Sequence, residues 1–106
     1  MGRKPASSGK PDAIAKLERL DAVFSAVAHP ARRQILLTLK ILGGKMTAGE
    51  IAGRFSCAWP TVTRHLSILR NAGLVRMRKR GRSVVYELNA AALRSIQDEW
   101  LKFFVE

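Results

Sequence analysis

The sequence predicts a mainly α-helical domain carrying one small β-hairpin, on three observations. Apolar residues recur at spacings of three and four along most of the chain, the period of helices that bury one face. That period stops after Gly73, where two β-rich runs flank Gly81. Pro30, Pro60, Gly43-Gly44 and Gly73 fall between the periodic stretches, where proline suits a first helical turn and glycine a last one. The 106 residues amount to one domain, and 47% of them are hydrophobic. A chain of this size buries about two thirds of its unfolded surface.

Residues 1–12 are rich in Gly, Pro, Ser and Lys and show no apolar repeat. They read as a disordered basic arm, with one folded domain over 13–106. Leu17, Leu20, Phe24 and Val27 mark a first helix from about Ala13 to Ala28. Ile35, Leu36, Leu39 and Leu42 mark a second, from Pro30 to Leu42. Thr47-Ala-Gly-Glu50 fits a capping box, in which each side chain satisfies a backbone N–H of the other residue. It opens a short third helix, Ala48 to Phe55. After a break at Ser56–Ala58, a fourth helix has Pro60 in its first turn and stops at Gly73. Val75 and Met77 lead through Arg78-Lys79-Arg80-Gly81-Arg82 into Ser83–Leu88, a hairpin. A last helix from near Asn89 has Leu93, Ile96, Trp100, Leu101 and Phe104 on its apolar face.

Charge narrows the function. Nineteen Lys and Arg against eight Asp and Glu leave a net charge of +11, which favours a polyanionic partner, nucleic acid or an acidic membrane surface. A single cysteine excludes an internal disulfide and suits a cytoplasmic protein. There is no apolar run of the roughly 18 residues needed for a membrane span, and no secretory signal. Nor is there a nucleophile–base–acid grouping or a phosphate loop, so no enzyme is expected and no cofactor is called for.

Helices three and four form a short helix, a tight turn and a longer helix. That is the helix-turn-helix arrangement, whose second helix enters the DNA major groove. On the wheel of helix four, Val62, Leu66 and Leu69 share an inward face. Pro60, Thr63, Arg64, Ser67 and Asn71 lie on or near the opposite one. Arg64 can donate twice to a guanine edge, and Thr61 and Thr63 can bond bases or phosphates. Trp59 can lie on a sugar or a thymine methyl, or pack on helix three. Between Glu50 and Glu87 no acid occurs, while Arg54, Arg64, Arg70, Arg76, Arg78, Lys79, Arg80 and Arg82 do. This coincidence places the binding surface, which net charge alone does not. Arg80-Gly81-Arg82 then reaches a flanking phosphate or the minor groove. Arg33, Arg54 and Arg70 position the backbone.

Four motifs in order resemble one family: His29-Pro30-Ala31-Arg32-Arg33-Gln34-Ile35-Leu36, Thr63-Arg64-His65-Leu66, Ala72-Gly73-Leu74-Val75, and Gly81-Arg82 with Tyr86 and Leu88. Together they look like the ArsR (ArsR/SmtB-type) winged-helix transcriptional repressors, over about Leu17 to Phe104. The resemblance implies a winged helix-turn-helix homodimer that binds double-stranded operator DNA, with the Gly81 hairpin as the wing. It implies a dimer interface built from the first and last helices, and DNA contacts from Thr61, Thr63, Arg64, Arg80 and Arg82. Departures are clear. The metal-binding cysteines of many members are missing from helix three, the last helix has Asp98 and Glu99 but no histidine, and redox sensing by two cysteines is not available. No metal is expected. Ala58 stands where a capping serine is common, and Ser67 where a basic residue is frequent.

The remaining residues have plainer readings. His65 reads as a partly buried histidine bonded to a backbone group, His29 as a shaper of the helix entry, and Cys57 as a semi-buried filler. Together they lack any zinc-ligand spacing. Arg32 and Arg33 divide between a phosphate and an acid, Glu18, Asp21 or one of a partner chain. Trp100, Phe103 and Phe104 are too apolar for one solvated helix and point to a subunit interface. Leu17, Leu20, Phe24 and Ile96 join them there. A non-specific nucleic-acid binder accounts for the charge equally well. It does not require Thr63 and Arg64 side by side on a polar outer face.

Overall fold

The computed structural model describes residues 11–105. Five of the expected helical regions are present, in the expected order: α1 (Asp12–Val27), α2 (Pro30–Ile41), α3 (Ala48–Arg54), α4 (Trp59–Asn71) and a C-terminal helix. Of the basic arm, only Pro11 and Asp12 lie within the described residues, and Asp12 already opens α1. The hairpin is formed by β2 (Val75–Arg80) and β3 (Ser83–Leu88), antiparallel with Arg80 opposite Ser83. Gly81 takes φ +58° at its tip, a left-handed conformation that costs glycine little.

One strand was not expected. β1 (Lys45–Thr47) pairs with β3 and completes a three-stranded sheet in the order β1-β3-β2. Met46 and Met77 flank the buried Tyr86 on either side. The last helix also differs. It runs as α5 (Ala90–Ile96), a π-helical turn (Gln97–Leu101) and α6 (Lys102–Val105). A π turn takes in an extra residue and rotates the side chains beyond it around the axis.

The core lies where α2, α3 and α4 meet. Ile35, Leu39, Ile51, Val62, Leu66 and Leu69 are fully buried there, with Leu74 and Val75 from the α4–β2 junction. α1 adds Val23 and Ala26. Two polar devices join elements end to end. Leu74 N–H donates to Leu69 O at 2.9 Å across Gly73, whose φ of +79° closes α4. Asn89 Nδ2 then donates to Gly73 O at 2.8 Å. Asn89 therefore fastens the start of α5 to the end of α4 and does not cap its own helix.

Candidate nucleic-acid interface

α3 is set by the capping box: Glu50 N–H donates to Thr47 Oγ1 at 3.1 Å and Thr47 N–H donates to Glu50 Oε1 at 2.8 Å. Thr47 is also the last residue of β1, so the box anchors α3 to the sheet. A four-residue break, Phe55 to Ala58 and including Cys57, leads to α4. Cys57 is exposed, which corrects the semi-buried reading: the turn leaves nothing over the thiol. Ala58 supplies no side-chain cap to α4, and Trp59 and Pro60 form its first turn.

On α4, Val62, His65, Leu66 and Leu69 are buried. Trp59, Thr61, Thr63, Arg64, Ser67 and Arg70 are exposed. The inward and outward faces therefore divide as the wheel predicts. Arg54 is exposed in the last turn of α3, and Arg76, Arg78, Lys79, Arg80 and Arg82 are exposed on the hairpin.

Several of these cations already have internal partners. Arg78 approaches Glu87 at 3.4 Å, and Lys45 approaches the same carboxylate at 3.8 Å, so Glu87 draws β1 and β2 together across β3. Arg76 donates to Asn89 Oδ1 at 3.5 Å. Arg70 donates to the Met77 thioether at 3.2 Å, linking α4 to the hairpin. Arg33 donates to Val27 O and Ala28 O at 2.9 and 3.1 Å. Arg32 donates to Ala26 O at 2.6 Å and Ser25 O at 3.3 Å. Both arginines thus cap the carbonyl end of α1, where a cation is favoured. Arg54, Arg64, Arg80 and Arg82 have no ion pair or hydrogen-bonded side-chain partner among the described residues.

His65 has a partner that sequence spacing did not reveal. Its ring lies against that of His29, centroids 4.6 Å apart and planes tilted by 53°. The Arg32 guanidinium reaches its Nδ1 at 3.4 Å, so its bond is to a side chain and not to a backbone group. His29 is the N-cap of α2, its Nδ1 accepting from Ala31 N–H at 3.1 Å. Burial, and after it the electrostatic influence of His29, Arg32 and Arg64, hold the His65 imidazole below its ordinary value.

The expected interface residues separate into two sets. Leu20 is 3% exposed, and the core of the single chain already covers it. That corrects its assignment to a subunit surface. Phe24 and Ile96 are half-buried, and Leu17 is exposed. Trp100, Phe103 and Phe104 are 42%, 76% and 69% exposed. Phe24, Trp100 and Phe104 form one aromatic row, with centroids 5.1 Å and then 4.8 Å apart.

A helix packed by one face on a helical core, polar on the other and flanked by a basic hairpin, defines a winged helix-turn-helix domain. Residues 29–77 match the profile of the bacterial regulatory protein, arsR family. The chain is 38% identical over 84 residues to the transcriptional repressor SdpR of Bacillus subtilis, a match covering 79% of this chain and 91% of the relative. It is 29% identical over 96 residues to the transcriptional activator HlyU of Vibrio cholerae, covering 87% of each. The solved structure of HlyU superimposes with a TM-score of 0.65 over 92% of this chain and all of that one, at 26% identity. A domain from Mycobacterium bovis, described as a homodimeric winged helix-turn-helix DNA-binding domain, has a TM-score of 0.70. It covers 100% of this chain and 94% of its own at 23% identity, a likeness of fold. The chain belongs to the ArsR family of bacterial regulatory proteins, which are transcriptional regulators and not enzymes. Among the described residues no helix is long and apolar enough to cross a membrane.

Proposed function

We propose that two copies of this chain associate through α1 and the C-terminal helix and act as a cytoplasmic repressor, reading an imperfect inverted repeat in operator DNA. The two α4 helices then enter major grooves about one turn, or roughly 34 Å, apart. Arg64 reads a guanine edge, Thr61 and Thr63 read bases or phosphates beside it, and Trp59 and Ser67 border the contact. Arg33, Arg54, Arg70, Arg80 and Arg82 hold the backbone, Arg33 and Arg70 through whatever donors their internal bonds leave. Bound at a promoter, the dimer blocks polymerase. The basic arm ahead of α1 adds weak phosphate attraction.

One observation supports this reading most: the exposed face of α4 carries Thr61, Thr63 and Arg64 in its first two turns while Val62 and Leu66 seat the helix from behind. The repressor assignment draws on the 38% identity to SdpR. The decisive experiment selects bound duplexes from a random library at about 0.15 M salt, where non-specific attraction is screened. An enriched inverted repeat is expected. Binding that collapses with salt and enriches nothing would mean a non-specific nucleic-acid binder.

A further inference from the structure

We propose that His65 is the positioning residue of α4: its neutral imidazole, held between the His29 ring and the Arg32 guanidinium, docks the DNA-reading helix on the α1–α2 corner, and proton uptake undoes that docking. The inference rests on the reading of α4 as the DNA-contacting helix.

The geometry runs through three elements. Arg32, on α2, holds the last carbonyls of α1 through Ala26 O and Ser25 O. The same guanidinium turns Nη1 toward Nδ1 of His65. One side chain therefore joins the end of α1, the first turn of α2 and the middle of α4. His29 covers the ring of His65 from the N-cap of α2. His65 itself is 8% exposed and is the one polar residue in the buried set of the described chain. It also follows Arg64 directly, so its seating sets where the exposed guanidinium next to it points.

Protonation chemistry gives the arrangement a sign. A guanidinium carries only N–H donors and stays charged, so the ring nitrogen facing it has to accept. That fixes the neutral tautomer with its proton on Nε2. An imidazolium would turn N–H toward N–H and place two cations in contact. The charged or titratable groups facing His65 are His29 and Arg32 from α2 and Arg64 from its own helix. All three oppose a positive charge there, as does burial. α1 contributes carbonyls that Arg32 already occupies. Acid therefore weakens the α4 seat. Simple electrostatics predicts the reverse, because a protonated histidine near DNA adds attraction for phosphate. The direction of the pH effect separates the two.

The test measures affinity for a fluorescent duplex taken from the selection above, from pH 8 to pH 5 at fixed ionic strength. It uses the full chain and its H65N and H65A variants, with circular dichroism to establish folding. Below the titration of His65, binding by the natural chain is expected to weaken with a limiting slope of about a hundredfold per pH unit, as for one linked proton in each of the two chains on the duplex. H65A is expected to bind more weakly at every pH. H65N keeps an oxygen acceptor for Arg32, so at pH 8 it is expected to restore most of what H65A loses, and it has no acid-dependent fall. An affinity that is flat or rises in acid overturns the proposal, as does an equal fall in H65N.

A second readout needs no DNA. The chain has two tryptophans, so in a W100F background Trp59 alone reports the first turn of α4. Its emission is expected to shift at the pH where the His65 ring resonances titrate in the NMR spectrum of the natural chain. Emission that stays constant through that titration rejects the positioning role. A shift in a protein that selects no duplex would leave His65 as the helix anchor and reject only the DNA reading.

Discussion

Two surfaces of this small domain are outward-facing for opposite reasons. The α4 and hairpin surface is polar and cationic, and it is finished within one chain. Val62, Leu66 and Leu69 seat the helix with no exposure to speak of, and Thr63 and Arg64 are presented on a fixed support. The surface along α1 and the C-terminal helix is apolar and unfinished. Leu17, Trp100, Phe103 and Phe104 remain exposed in a single chain, even where Trp100 packs on Phe24 and Phe104. On the proposed reading, a recognition surface is complete in a monomer because its partner is DNA. The contiguous aromatic row is the surface that the proposed second copy would cover. The same chain thus builds one site by burying a face and the other by leaving a face bare.

The strongest way to break this comparison is to remove the bare face. The double substitution W100S/F104S is expected to give single chains in sedimentation equilibrium while circular dichroism stays native. Its affinity for a full inverted repeat should drop by about 10²–10⁴, the loss of linked half-site binding. A variant that remains dimeric would move the interface elsewhere. On the other surface, Leu66→Ala should destabilise the chain by about 2–5 kcal/mol in urea unfolding, the range for truncating a fully buried leucine. A change well under 1 kcal/mol would mean that α4 is not seated as described.

Smaller effects sharpen the contrast. Arg64→Ala should cost about 1–3 kcal/mol of affinity and relax preference at one base position; uniform weakening over all sequences would remove its reading role. Acid should lower stability through His65. The unfolded ring binds its proton near its ordinary value of about 6.5, whereas the folded ring resists protonation. Its contribution is therefore complete above that value and declines as the pH falls from there toward the depressed folded value. Urea midpoints at pH 8 and pH 5.5 should diverge more for the natural chain than for H65N. Smallest of all, Arg82→Ala should weaken binding to every sequence alike and flatten the salt dependence by about one unit of slope. A sequence-selective loss would make the hairpin a reader.

Local chemistry was legible wherever its partners were close in sequence. Thr47 and Glu50 are three residues apart, and the capping box formed as read. Gly73 and Gly81 stop and turn the chain where their positive φ is needed. The two faces of α4 followed from a single helical period. What escaped the sequence lies between distant segments. β1 is three residues long, too short for alternation to register, and it forms by pairing with β3, Met46 opposite Tyr86. His29 and His65 stand far apart in the chain and touch only because α2 and α4 cross there. The hold of Arg32 and Arg33 on the last carbonyls of α1 was likewise invisible until the end of α1 came within reach.

By itself, then, the sequence determined the helices, the hairpin, the side of α4 that faces out, and the acid-free basic stretch. These depend on periodicity, capping and charge within a few turns of chain. Only the tertiary structure decided which cations among the described residues are left without internal partners, that Leu20 lies inside while Phe104 lies outside, and that a histidine pair and an arginine meet behind α4. Those outcomes depend on how helices cross. Crossing is set by the shared burial of Ile35, Leu39, Ile51, Leu66 and Leu69, a collective packing that no short stretch of residues contains.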